Sequence, residues 1–245
     1  MRMRRKKWAE EELGKCDFYE EWPENNLDFK NKFSQDNKPI YMELGCGKGN
    51  FISKLASSNL NINYYAVDMI EAMLGLSKRN IEHEYSKLEI NKDVEVKYDI
   101  QNRKYIYSKK VKVPNLELVR ENCEYISKIF NDKDSISRLY INFCNPWPKD
   151  KHKKRRLTHP RQLEQYKKFL KPGSEIFFKT DDNDLFIDSV GYLEDSGFKI
   201  KDKTFDLHEN DIFSKWQNGH TNIVTEHEEM FTKEGIKIKA LIAII

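Results

Sequence analysis

Pro39-Ile-Tyr-Met-Glu-Leu-Gly-Cys-Gly-Lys-Gly-Asn-Phe51 is the stretch that decides the fold. An apolar run leads into Gly45, Gly47 and Gly49, and the chain leaves them with Phe51, Ile52 and Leu55 spaced as one face of a helix. The order is strand, glycine turn, helix. Glycine has no Cβ and tolerates positive φ, so such a turn lets backbone come close to a ligand. The spacing is Gly-x-Gly-x-Gly, whereas a dinucleotide fold carries Gly-x-Gly-x-x-Gly to seat a pyrophosphate on the helix.

Working outward, Tyr64-Tyr-Ala-Val67 is a short apolar run that ends at Asp68, and a helical stretch follows to about Tyr85, completing a strand-helix-strand unit. Further strands are expected at residues 116–119, 138–143, 173–179, 198–205 and 236–245, with helical segments between most of them. Strands alternating with helices predict a doubly wound α/β fold, a mostly parallel sheet with helices on both faces. Residues 38–245 are expected to form this domain. Residues 86–112 lack periodicity and read as an insertion, a hairpin or a loop. Residues 1–37 read as an arm that packs onto the domain, with a basic tip at Arg2, Arg4, Arg5, Lys6 and Lys7.

The two acids define the ligand. Glu43 stands two residues ahead of the first glycine, where a carboxylate repels a diphosphate and suits a ligand with a cationic end, such as the amino group and sulfonium of S-adenosylmethionine. Asp68, at the tip of the next strand, stands where an acid accepts hydrogen bonds from both ribose hydroxyls.

A second signal is Leu139-Tyr-Ile-Asn-Phe-Cys-Asn-Pro-Trp-Pro148. An apolar strand stops at two prolines flanking a tryptophan, and strand C-termini of an open α/β sheet face the ligand crevice. Pro146 and Pro148 fix the backbone, and Trp147 offers a π-face for stacking or for core packing. Lys149-Asp-Lys-His-Lys-Lys-Arg-Arg156 follows at once and is the densest basic run of the chain. Beside a base-accepting pocket, Lys151, Lys153, Lys154, Arg155 and Arg156 are candidates for holding RNA phosphates.

Composition bounds the rest. The chain has 245 residues, 34% of them charged, with a net charge of +3, so polynucleotide affinity must come from local clusters and not from the overall balance. No apolar run approaches the roughly 20 residues of a membrane helix, and no secretory signal follows the basic N-terminus, so a cytoplasmic protein is expected. Cys16, Cys46, Cys123 and Cys144 lack the paired spacing of a metal or redox site and read as ordinary thiols.

The segments Glu43-Leu-Gly-Cys-Gly-Lys-Gly-Asn-Phe51, Asn145-Pro-Trp-Pro-Lys149, Arg155-Arg-Leu157, Phe178-Lys-Thr-Asp181 and Thr225-Glu-His-Glu228 together resemble the bacterial tRNA (guanine-N7-)-methyltransferase family, as do the opening Met-Arg-Met-Arg and Asp206-Leu-His208. The resemblance spans nearly the whole chain. It implies a Rossmann-like class I methyltransferase fold, S-adenosylmethionine as cofactor, no metal, and transfer of a methyl group to N7 of a tRNA guanine in the variable loop, position 46. It also implies that Glu43, Asp68, Asn122 and Asn145 contact the cofactor, with Asn145 and Asp181 at the reacting centre. Lys149, Asp181, Thr225, Glu226, His227 and Glu228 are implied to hold the substrate. The chain departs from the family at Asn145, usually Asp, and at His227, usually aromatic, and residues 86–112 have no counterpart in the family pattern.

A carboxylate at position 181 suits a guanine independently, since N1–H and the exocyclic amino group are both donors. Three other readings remain. Asn145-Pro-Trp also resembles the segment with which amino-group methyltransferases hold adenine N6; a cofactor-free RNA-binding protein would need no donor; and a dehydrogenase would need the other glycine spacing. Monomer and homodimer are both compatible with the sequence.

Overall fold

The computed structural model describes residues 6–26, 29, 32, 33, 36–131, 134–217 and 219–245. Arg2, Arg4 and Arg5 of the expected basic tip lie outside the described residues. In chain order the elements are α1 (Lys7–Leu13), β1 (Tyr19–Glu21), β2 (Ile40–Leu44), α2 (Asn50–Ser58), β3 (Asn63–Asp68), α3 (Glu71–Ser86), β4 (Val96–Asp99), β5 (Lys104–Tyr107), β6 (Leu116–Arg120), β7 (Ile136–Asn142), α4 (Pro160–Tyr166), β8 (Leu170–Thr180), α5 (Asn183–Asp195), β9 (Lys199–Thr204), α6 (Ile212–Lys215), α7 (Glu226–Lys233) and β10 (Lys239–Ile244).

The main sheet runs in the order β1-β6-β3-β2-β7-β8-β10-β9. From β1 through β8 every neighbouring pair is parallel, and β10 lies antiparallel between β8 and β9. This is the expected doubly wound sheet with one reversed strand. Period-2 alternation explains why both faces are covered. Tyr41, Tyr64, Ala66, Tyr140 and Phe177 point into a core closed by Phe51, Ile52 and Leu55 of α2 and Leu74, Ile81 and Tyr85 of α3. Their neighbours Met42, Leu44, Tyr65, Val67, Leu139, Ile141 and Phe178 point the other way, against Leu163 and Tyr166 of α4 and Leu185, Phe186 and Leu193 of α5.

The N-terminal segment is built into this body. β1 adds an edge strand beside β6, Tyr19 opposite Leu118, and α1 lies on α3. Close approach there requires Gly75, since a Cβ on it would lie 2.7 Å from that of Ala9. Arg79 of α3 fixes the pair, donating to both carboxylate oxygens of Glu12 at 2.8 and 2.7 Å with its guanidinium 3.9 Å from the Trp8 ring.

Residues 86–112 turn through a short 3-10 segment into an antiparallel hairpin, β4 and β5, separate from the main sheet. One face packs: Tyr105 stacks on His83 of α3 at 3.9 Å, while Ile100 and Ile106 remain exposed. A hairpin packed on one face over four-residue strands gives too short an alternation to read from sequence.

Candidate active site

In this topology the strand order reverses between β2 and β7, and a crevice opens at the carboxyl ends of those two strands. A cavity of about 470 Å³ lies there. The glycine turn forms one side of it, with Gly45 and Gly47, both at positive φ, together with Lys48, Asn50 and Phe51. Glu43, Asp68, Ile70 and Met73 line it from the β2 and β3 side, Asn142 and Phe143 from the tip of β7, and Thr225, Glu226, His227 and Met230 from α7.

Glu43 is 2% exposed and held by one bond, Asn142 Nδ2 donating to Oε1 at 2.9 Å. Its Oε2 is buried without a hydrogen-bond partner among the described residues. Burial pushes its carboxyl up to about 7, against the opposing pull of the Asn142 bond and the Lys179 charge. A buried carboxylate oxygen left over in a cavity of this size fits a cationic ligand. Asp68 is oriented by backbone: Oδ2 accepts from Gly47 N–H at 3.0 Å and Oδ1 from Ile70 N–H at 2.8 Å. Each oxygen keeps a further lone pair, as two ribose hydroxyls require. A Cβ at Gly47 would meet no atom of the described residues within 4 Å, so this glycine keeps ligand space open. Gly49 has a different duty. Its Cβ would lie 2.0 Å from Ser77 Oγ, so it lets α2 approach α3 and does not line the cavity.

The tip of β7 carries backbone strain. Phe143 and Trp147 have φ of 49° and 42°, a region that bulky side chains rarely enter. The twist at Phe143 leaves its ring over the cavity, stacked with His227 at 6.2 Å.

Several expected residues stand elsewhere. Asn145 is exposed, its Oδ1 accepting Trp147 N–H at 3.1 Å to close a turn, and the asparagine that reaches the cavity from β7 is Asn142. The amino-group reading loses its carrier with it. Asn122 caps a 3-10 turn after β6, its Oδ1 accepting Glu124 N–H at 3.0 Å, and is not among the lining residues. Glu228 is fully buried and not among the lining residues: one oxygen takes Lys179 Nζ at 2.6 Å and the other lies 3.2 Å from His208 Nε2. Thr225 and Glu228 also start α7, with Thr225 Oγ1 accepting Glu228 N–H at 3.1 Å, the Thr-x-x-Glu pattern of a helix start.

Asp181 lies at the tip of β8, half-buried, with its backbone oxygen accepting Lys239 Nζ at 2.8 Å. Burial raises its carboxyl, and the charges of Lys239 and His227 pull the other way; the residue is not among those that line the cavity.

The basic run is a 3-10 turn, Asp150–Arg155. Lys149, Lys151, Lys154 and Arg155 are exposed, the last 5.1 Å from the Trp147 ring. Lys153 is half-buried and pairs with Asp188 at 3.0 Å. Arg156 is corrected: at 1% exposure it donates to Pro146 O at 2.6 Å and to Asp188 at 2.5 Å, so it braces the proline turn and cannot reach a phosphate. Lys48, Asn142 and Phe143 line the cavity although spacing did not single them out. Lys48 pairs with Glu226 at 2.5 Å, bridging the glycine turn to α7. Among the described residues no group of three or more His, Cys, Asp or Glu converges as metal ligands would, and no helix is long and apolar enough to cross a membrane. All four cysteines are free thiols.

Comparison with known proteins bears on this geometry. Residues 37–241 match the family model described as a putative methyltransferase. Two solved structures share the fold: a 16S rRNA methyltransferase, KamB, with a TM-score of 0.56 at 13% identity over 90% of this chain and 94% of that one, and an antibiotic-related methyltransferase with 0.52 at 17% over 89% and 92%. In sequence the chain is 49% identical to the tRNA (guanine-N(7)-)-methyltransferase of Clostridium beijerinckii over 99% of this chain and 98% of that protein. It is 48% identical to that of Clostridium perfringens over 99% of both chains, and 42% identical to that of Acetivibrio thermocellus, again over 99% of both. Likeness at this level over the full length of both partners leaves one assignment: the chain belongs to the tRNA (guanine-N(7)-)-methyltransferase family.

Proposed function

We propose that this chain transfers the methyl group of S-adenosylmethionine to N7 of a guanine in tRNA, and that the guanine is the one at position 46 in the variable loop. One observation carries the reading. The unpartnered Glu43 oxygen and the ribose-type acid Asp68 share a cavity with the Thr225, Glu226 and His227 wall, in a chain nearly half identical to tRNA methyltransferases.

Glu43 and Asp68 would hold the cofactor at its amino and ribose ends, with the Gly45 and Gly47 backbone between them. When bound, S-adenosylmethionine supplies an electrophilic methyl carbon on a sulfonium. Guanine N7 offers a lone pair and has no proton to lose, so the residues have to align the ring and need not remove a proton. Asp181 receives the guanine N1–H and amino group, and its charge offsets the positive charge that the ring gains. The exposed position of Asn145 is consistent with chemistry that needs no base there. The transferase site lies within residues 38–245, the N-terminal arm of residues 1–37 adds α1 and the edge strand β1 to the same body, and the place of action is the cytoplasm.

The test is a set of tRNA transcripts differing at one position. Replacing guanine 46 by 7-deazaguanine, which lacks N7, abolishes methyl acceptance on this reading, and undiminished acceptance would contradict it.

The exposed cations grip the polynucleotide. A K151A/K154A/R155A variant is expected to bind tRNA more weakly, with a log–log salt dependence shallower by about one per phosphate contact removed. R156A is expected to act on the fold instead, costing about 1–3 kcal/mol in denaturant unfolding because it removes the donor of the Pro146 carbonyl and leaves Asp188 to its pair with Lys153. A salt slope changed by R156A and unchanged by the triple variant would reverse the two assignments.

A further inference from the structure

One buried ion pair beside the cavity has no role in the reading above. Lys179 lies on β8, two residues before Asp181, and is 0% exposed. An ammonium has three donors. All three go to one short segment: Asn222 Oδ1 at 3.0 Å, Ile223 O at 3.0 Å and Glu228 Oε2 at 2.6 Å. Asn222 Nδ2 closes the ring by donating to the second Glu228 oxygen, and Asn222 N–H donates to Asp211 Oδ2 at 3.1 Å.

Residues 219–225 have neither helix nor strand, so no backbone ladder fixes their path. The segment leads through Thr225 into Glu226 and His227 at the start of α7, and these three residues form a wall of the cavity. The ammonium also sits 5.5 Å from the Phe51 ring and 5.7 Å from the Phe143 ring, which line the cavity from the glycine turn and from β7. Burying both members of a charge pair costs several kcal/mol of desolvation, and apolar side chains of similar volume would hold two elements together at least as well. What the charge pair adds is direction, because three acceptors at fixed angles admit one loop conformation.

We infer that Lys179 is a positioning residue: it fixes residues 222–228 against the tip of β8 and so sets the spacing between Asp181 and the Thr225 to His227 wall. The inference rests on reading that wall as the place where the guanine enters. Lys179 itself touches neither base nor cofactor.

K179M and K179R in the full-length protein test this, by backbone hydrogen exchange and by steady-state kinetics with tRNA. In K179M, amides of residues 222–228 are expected to exchange at least about tenfold faster while β2, β3 and β7 keep their protection. Misplacing the wall should lower kcat about 100-fold and leave KM for tRNA within about threefold, since the basic run is untouched. K179R, which keeps charge and donors, should recover part of kcat and part of the local protection. Faster exchange spread evenly over the sheet would show a merely structural residue and overturn the inference, as would unchanged exchange with unchanged kcat. If the wild-type chain methylates no tRNA, the function proposed above fails, and the exchange pattern still decides the role of Lys179.

Discussion

Replacing Asp181 by alanine is expected to lower methyl transfer about 1000-fold, the size of losing a charge placed where the transition state develops its own, and to leave S-adenosylmethionine affinity within about threefold. The two effects separate because Asp181 is not among the residues that line the cavity around Glu43 and Asp68; it follows directly on the tip of β8. Burial raises its carboxyl, so the rate should also fall on the acid side as this group protonates and becomes unable to accept two hydrogen bonds. Asp181→Asn, which keeps one acceptor, should fall between. Calorimetry with the cofactor beside single-turnover kinetics checks both variants against the wild type, and equal loss of binding and rate would make the residue a support of the fold.

Glu43→Gln is expected to weaken cofactor binding about 100-fold, the value of a buried charge-assisted contact of about 3 kcal/mol. It should also make the free protein more stable at pH 8. The carboxyl stands at about 7 in the fold against an ordinary 4.5, because burial penalises its ionised form. A raised value means a stabilising contribution that is complete below pH 4.5 and is lost as pH rises to 7. At pH 8 the wild type therefore holds an ionised, half-satisfied carboxylate at a cost bounded by about 3 kcal/mol. Glutamine removes that cost. The thermal midpoint of the variant should exceed that of the wild type at pH 8, with the gap closing near pH 5; a lower midpoint at pH 8 would mean that the Asn142 and Lys179 contacts outweigh burial.

Legibility in the sequence follows the range of the interaction. Strand alternation is local, so Met42 and Tyr41, or Tyr64 and Tyr65, divide between the two cores as the pattern demands, and the parallel sheet follows. The turn at Gly45 and Gly47 is legible because positive φ is a demand that few residues meet. β1 is three residues long, too short for any period, and joins the sheet only because β6 offers an open edge. Arg156 reads as one more surface cation until Asp188, 32 residues later, is folded against it. Glu228 reads as a ligand contact until Lys179, 49 residues earlier, claims its carboxylate. The choice of Asn142 over Asn145 turns on the twist at Phe143, which no spacing announces.

The most direct measurement is incubation of the protein with unmodified tRNA and methyl-labelled S-adenosylmethionine, followed by digestion to nucleosides and mapping of the labelled position. Label in 7-methylguanosine at a single variable-loop site is the predicted result. Label in N6-methyladenosine, or none in tRNA from a protein that binds the cofactor, would contradict the account.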